Sequence, residues 1–208
     1  MSTGAATALA AAGRRLAAAG LSPGSSGNLS VRTPDGYLAT PTGHSLHDLT
    51  PAGLSVLDLD GEHRAGPAPT KELPLHLGLY ARSPQVAAVV HLHSVHAVAV
   101  ACRVPPDPAD VLPPYTPYGV MLLGRVPLLP YAPPGSRTLA GLAGRLPPGT
   151  RAALLANHGA LATGGSLERA VEAAVELEET ARLHLLLGPA APVRPLTPAQ
   201  CAELPART

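Results

Sequence analysis

The sequence predicts one α/β domain, and three patterns in it carry that prediction. Two short apolar runs, residues 86–90 and 152–155, have the length and continuity of strands buried on both faces. Stretches 70–82 and 166–187 are spaced as helices, the first with Leu73, Leu77 and Tyr80 at i, i+4 and i+7. Turn signals at 33–36 (TPDG) and 60–61 (DG) mark hairpins early in the chain, which argues against a purely parallel sheet. With 208 residues, one core is the default.

The elements follow in order. Residues 4–20 are Ala-rich, with Leu9 and Leu16, and read as a helix ended by Gly20. SPGSSGN (22–28) is a loop. Residues 29–32 and 37–40 are strands around the TPDG turn, 41–43 is a break, and 55–59 begins a second hairpin. The helix at 70–82 leads to the strand at 86–90, which runs straight into His91-Leu92-His93, with a short helix at 94–102. A Pro-rich loop is expected over 104–118, a strand over 126–129 and a helix over 136–146. The strand at 152–155 ends in Asn157-His158-Gly159, and the helix at 166–187 places Glu176, Glu178, Glu179 and Arg182 on its polar side. The domain is therefore drawn over 1–188, with a peripheral Pro-rich tail over 189–208.

Composition narrows the function. The net charge of +1 argues against binding driven by nucleic-acid or membrane charge. No apolar run approaches the ~20 residues of a membrane helix. Cys102 and Cys201 do not make a secreted disulfide scaffold, and no leader pattern opens the chain, so a cytoplasmic protein is expected. Phe and Trp are absent, which leaves the core to Leu, Val and Ala. Fourteen Arg stand against one Lys, Lys71, beside Glu72; a site that needs a compact, titratable ammonium resists guanidinium. The two Asn, Asn28 and Asn157, both sit in Gly-flanked turns, where function tends to collect.

Three polar clusters stand at the ends of the predicted elements. A period of two puts His91 and His93 on one face if the strand continues that far, within reach of one metal ion. His158 follows the other apolar strand, and Glu72 begins the helix upstream. Three His and a carboxylate fit a catalytic Zn²⁺ site with an exchangeable position, and Mn²⁺ or Co²⁺ would also suit imidazole donors. An isolated His is more often a hydrogen-bonded core or surface residue, and His76, His96 and His184 are read that way, His96 lying one turn past the pair. His63 reads as surface; His44 and His47 are left open. The loops around Gly27-Asn28 and Thr42-Gly43, with Thr70 and Lys71 at a helix start, offer hydroxyls and free N–H groups to an anion. Each alone is an ordinary loop or cap.

In order and combination, SGNLSVR (26–32), TPTG (40–43), the acid at 72, HLH (91–93) and NHG (157–159) resemble the class II aldolase/adducin family, over the first helix to about residue 187. The resemblance implies a three-layer α/β/α domain around a mostly antiparallel sheet, commonly a homotetramer with metal sites near subunit interfaces. It implies metal ligation by His91, His93 and His158, an acid/base role for Glu72 that can include metal binding, and phosphate binding by Gly27, Asn28, Thr42 and Gly43. The aldolases carry Ser-Ser-Glu where this chain has Thr70-Lys71-Glu72, and the epimerases carry Asp at position 72.

Thr-Lys-Glu-x-x-x-His (70–76), Tyr115-Thr-Pro-Tyr118, residues 124–131 and Leu177-Glu-Glu-Thr-Ala181 resemble the 3-oxo-tetronate 4-phosphate decarboxylase branch. That implies conversion of a phosphorylated four-carbon 3-oxo acid to dihydroxyacetone phosphate and CO₂. One divalent metal per subunit would stabilise the enediolate left when CO₂ departs. Lys71 would orient the carboxylate without clamping it, since tight ground-state binding slows reaction, and Glu72 would protonate C2. Tyr115 and Tyr118 are candidates for a neighbouring subunit's site, Arg125 and Arg137 for phosphate or interface contacts. The rivals are an L-fuculose-1-phosphate type aldolase, a methylthioribulose-phosphate dehydratase, a non-catalytic adducin-like binding domain and a structural zinc site.

Overall fold

A computed structural model describes residues 3–188 and 192–205. The predicted start of the tail, Pro189, lies outside the described residues. Helix α1 (Thr3–Ala18) leads into strands β1 (Asn28–Thr33) and β2 (Gly36–Ala39), then two single 3₁₀ turns and the hairpin β3 (Ser55–Leu57) and β4 (His63–Ala65). Helix α2 (Leu73–Arg82), strand β5 (Ala88–Leu92) and helix α3 (Val95–Ala101) follow. Beyond the Pro-rich loop come α4 (Pro117–Leu122), β6 (Leu128–Leu129), α5 (Arg137–Gly144), β7 (Ala152–Leu155), β8 (Gly159–Gly164), α6 (Leu167–Leu187) and α7 (Pro198–Ala202).

The strands form one mixed sheet in the order β4-β3-β2-β1-β5-β8-β7-β6. Every pairing is antiparallel except β6 with β7, as the early hairpins predict. Alternation along β5 sorts its side chains. Ala88, Val90 and Leu92 join a cluster with Leu9 and Leu16 of α1, Val100 of α3 and Leu177 of α6. Val89 turns the other way, to Leu75 and Leu79 of α2 and Leu139 of α5. His91 shares the face of Val89. All five residues of β5 are buried, which is why the run reads as continuously apolar.

Four features depart from the sequence reading. The helix expected from residue 70 begins at Leu73, because the Thr70 hydroxyl takes the Glu72 N–H at 3.2 Å and the backbone turns before it coils. Its buried face is Leu75, His76, Leu79 and Tyr80; Leu73 and Leu77 lie at its margin. Strand β8 is built from GALATG, small residues with weak strand preference that are held by partners on both sides. Helix α4 grows out of the Pro-rich loop, where Thr116 caps the Gly119 N–H at 3.0 Å and Pro117 occupies the first turn. In the tail, Thr197 and Gln200 form a capping box that starts α7.

Candidate metal centre

Three chain segments meet where β1, β5 and β8 lie side by side. Asn28 opens β1 and pairs in register with His91 of β5, which pairs with Leu161 of β8. His93 follows two residues after His91, just past the strand end, and still reaches the same point. The turn between β7 and β8 brings His158, aided by Asn157 at φ 56°, a left-handed conformation that Asn tolerates. Two glycines make room. A Cβ on Gly159 would lie 2.6 Å from the Leu92 carbonyl oxygen and 3.0 Å from the His93 ring. One on Gly27, at φ 77°, would lie 2.4 Å from Ser22 Oγ.

Glu72, at the N-terminus of α2, closes the cluster. Its Oε2 is 3.0 Å from His91 Nε2 and its Oε1 is 3.3 Å from His158 Nε2. His93 Nε2 lies 2.9 Å from His91 Nε2. The three rings stand edge to face, with centroids 4.8 to 4.9 Å apart. One ligand atom from each of the four residues falls within 4.8 Å of every other.

The arrangement fits a divalent cation. His91 Nδ1 donates to the Ala160 carbonyl at 2.9 Å, which turns its Nε2 into the cluster, the orientation that metal-binding imidazoles adopt. Two imidazole nitrogens as close as those of His91 and His93 need a cation or a proton shared between them. Glu72 Oε1 and both ring nitrogens of His158 are buried without a hydrogen-bond partner among the described residues, although buried polar groups are normally paired. Three nitrogens and a carboxylate suit Zn²⁺ and other divalent transition metals. Neither Cys belongs to the group.

Electrostatics agree. Burial pushes the Glu72 carboxyl up, but the His91 imidazole, the Asn28 amide and His158 together hold it well below the usual carboxylate range. His93 is pushed down to about 4 by burial, with His91 and His158 adding to it against Glu72. Burial likewise lowers His158, with His91 adding and Glu72 opposing. An ionised carboxylate beside His93 and His158, both pushed toward the neutral form, suits a metal site.

The predicted anion-binding segments are laced together beside this cluster. Leu29 N–H donates to Thr40 Oγ1 at 3.1 Å, Thr70 N–H to the Thr40 carbonyl at 3.0 Å, and Thr42 N–H to the Ala68 carbonyl at 3.0 Å. Thr42 is half-buried and Gly43 exposed, with a left-handed φ of 72°. Asn28 is buried with its amide on Glu72, at 3.1 Å from Nδ2 to Oε2. Lys71 is exposed next to Glu72.

The other histidines lie elsewhere. His44, His47 and His63 are exposed. His184 Nδ1 is hydrogen-bonded to the Tyr115 hydroxyl at 2.8 Å. Tyr118, Arg125 and Arg137 are exposed. The polar side expected for α6 is wrong at Glu178, which is buried against α3. It takes the N–H groups of His96 and Ala97 and the His96 ring, at 2.8 to 3.0 Å. His76 is fully buried between Asn28 and Ser30.

Comparison with known proteins follows the same lines. Residues 7–185 match the family described as Class II Aldolase and Adducin N-terminal domain. The chain is 47% identical over 186 residues to a 3-oxo-tetronate 4-phosphate decarboxylase of Escherichia coli strain K12, covering 89% of this chain and 87% of that protein. It is 37% identical over 168 residues to an L-fuculose phosphate aldolase of Escherichia coli O6:H1, covering 80% and 75%. The crystal structure of YgbL from Escherichia coli superimposes with a TM-score of 0.91 at 43% identity, covering 95% of both chains.

Proposed function

The chain belongs to the class II aldolase and adducin family, and from that premise we propose that it is a metal-dependent decarboxylase that converts a 3-oxo-tetronate 4-phosphate to dihydroxyacetone phosphate and CO₂. The observation that carries the reading is the buried convergence of Glu72 with His91, His93 and His158, beside three laced loops of anion-binding composition. The likeness to a protein named a decarboxylase supports that reaction among those of the carbon–carbon lyases.

A divalent ion, Zn²⁺ by preference, held by those four residues supplies Lewis-acid stabilisation of the charge that builds on the substrate oxygens as CO₂ leaves. The chain's own residues do the rest. Gly27, Asn28, Thr42, Gly43 and Thr70 receive the phosphate at C4. Lys71 meets the C1 carboxylate and orients it, while leaving it free to depart. The C1–C2 bond breaks and its electron pair stays with the four-carbon skeleton's remaining C2–C3 unit. Glu72 then hands C2 a proton, which it takes up from water in the same turnover. The same reading takes residues 1–188 as a three-layer domain with a peripheral tail, assembled as a homotetramer with sites near its interfaces and working in the cytoplasm. Among the described residues no helix is long and apolar enough to cross a membrane.

The test is a coupled assay on metal-replete protein. A 3-oxo-tetronate 4-phosphate and L-fuculose 1-phosphate are supplied in parallel, and dihydroxyacetone phosphate is followed with an auxiliary dehydrogenase. Product from the oxo acid alone, abolished by chelator and by His93→Ala, is expected. Product from the ketose phosphate alone would give the site to an aldolase instead. Protein that purifies without stoichiometric metal and turns over neither would be the adducin-like binding domain.

A further inference from the structure

Behind Glu72 a single file of hydrogen bonds runs into the core, and every link in it has one possible direction. The Asn28 amide N–H donates to Glu72 Oε2 at 3.1 Å, and so the Asn28 oxygen is turned away from the carboxylate. The Asn28 oxygen then faces His76 Nε2 at 2.6 Å and must receive a hydrogen from it. His76 is fully buried, and burial, with His91 adding to it, pushes its pKa down to about 3, so the ring is neutral and Nδ1 is an acceptor. That nitrogen takes the Ser30 hydroxyl hydrogen at 2.7 Å. Ser30 in turn accepts from the Tyr80 hydroxyl at 2.8 Å, whose phenol burial pushes up, so it keeps its proton.

We propose that His76 is a positioning residue for this centre: a neutral imidazole protonated at Nε2 that fixes which end of the Asn28 amide faces Glu72. The inference rests on the reading of Glu72 as a metal-binding and proton-transferring group. The file works as a brace and not as a proton wire. A wire needs an end in solvent, and here Ser30 and His76 are 0% exposed and Tyr80 2%. With His76 absent, the Asn28 amide loses the contact that tells its oxygen from its nitrogen. A flipped amide would set oxygen against the carboxylate, and Glu72 would lose its fixed orientation toward the metal.

Two measurements decide it. In ¹⁵N-labelled protein, ring-nitrogen correlations should show His76 protonated at Nε2 alone between pH 5.5 and 8, with or without Zn²⁺. A hydrogen on Nδ1, or an imidazolium in that range, would overturn the proposal. The second is the Zn²⁺ dissociation constant by chelator competition. His76→Leu should weaken binding ~10-fold or more, the usual scale for a lost partner of a metal ligand. His76→Gln can donate to Asn28 and accept from Ser30 through its own amide, and should recover most of that loss. Equal affinity for wild type and His76→Leu would overturn the brace, as would a His76→Gln variant as weak as His76→Leu. Should His76→Leu fail to fold, the ring correlations and the Gln variant still decide. Failure of the decarboxylase reading would appear separately, as wild-type protein that binds Zn²⁺ and does not turn over the oxo acid.

Discussion

Two buried carboxylates in this molecule, at the start of α2 and in the middle of α6, do opposite work. Glu178 is 5% exposed and saturated: the His96 and Ala97 N–H groups and the His96 ring all donate to it, and Ser94 adds a side-chain bond. Burial pushes its carboxyl up, and those donors bring it below the usual range. Glu72 is 8% exposed and receives one amide; its other oxygen has no hydrogen bond among the described residues and faces imidazole nitrogens. A carboxylate whose lone pairs are all taken holds the fold together. One left half-satisfied among other lone pairs is poised for a cation or a proton. Side-chain type and burial do not separate these roles; the count of donors does.

The sharpest break of the comparison lies at Glu72. Glu72→Gln keeps size and an oxygen but removes the charge and the transferable proton. Turnover should fall by ~10²–10⁴, the scale of a lost general acid or base. The urea midpoint should fall less than it does for Glu178→Ala. Steady-state assay and urea denaturation check the two halves.

At Glu178 the weights should reverse. Glu178→Ala leaves the buried Ala97 N–H and the half-buried His96 N–H at the head of α3 without an acceptor, at ~1–3 kcal/mol each. A loss of about 2–6 kcal/mol in unfolding free energy is expected from those same groups. Because α3 begins two residues after His93, Zn²⁺ affinity should slip as well, by ~10-fold. Unchanged stability with lost turnover would erase the distinction between the two acids.

The metal-free protein sharpens it through pH. A His whose folded pKa lies below its unfolded value of about 6.5 binds fewer protons folded than unfolded. Its contribution is whole above pH 6.5 and is lost as pH falls. For His76, with a folded value of about 3, the loss should run at about 1.4 kcal/mol per pH unit below pH 6.5. His76→Gln should remove that share of the slope and leave the shares of His93, His158 and His184. Glu72 and Glu178 are carboxylates lowered by folding, so their stabilisation is lost only further down, as pH falls below about 4.3. Denaturation series at pH 7.5, 6, 5 and 3.5 separate the two windows.

The sequence made the candidate site residues legible for two reasons: the histidines stand at strand ends, and Lys71, Asn28 and Asn157 belong to types that are rare here. HLH and NHG follow the two runs that no other pattern could accommodate, and β7 was placed to the residue at 152–155. What stayed hidden depends on partners distant in sequence. GALATG carries no strand preference of its own and becomes β8 only between β5 and β7. Glu178 falls on a helix face that periodicity marks as polar, and nothing in the sequence shows that α3 would dock on it. His76 reads as an unremarkable core histidine. Its meaning comes from Asn28 and Ser30, more than forty residues away. One local signal was available: at i+4 from Glu72, His76 lies one helical turn from the carboxylate.

The smallest expected effect concerns Tyr115, the other side of the same lesson. Burial raises its phenol and also lowers His184, with Arg103 adding to the latter. The protonated hydroxyl shares a hydrogen bond with His184 Nδ1 at 2.8 Å. Within one chain that bond joins the Pro-rich segment to α6 and occupies the hydroxyl. Tyr115→Phe should cost about 0.5–1.5 kcal/mol of stability, the net value of one hydrogen bond. Turnover and Zn²⁺ affinity should stay at the wild-type level. A loss of turnover at unchanged stability would mean that the hydroxyl leaves His184 and serves the site of a neighbouring subunit. The pair would then belong with Glu72 as a group held ready, and not with Glu178 as a group already satisfied.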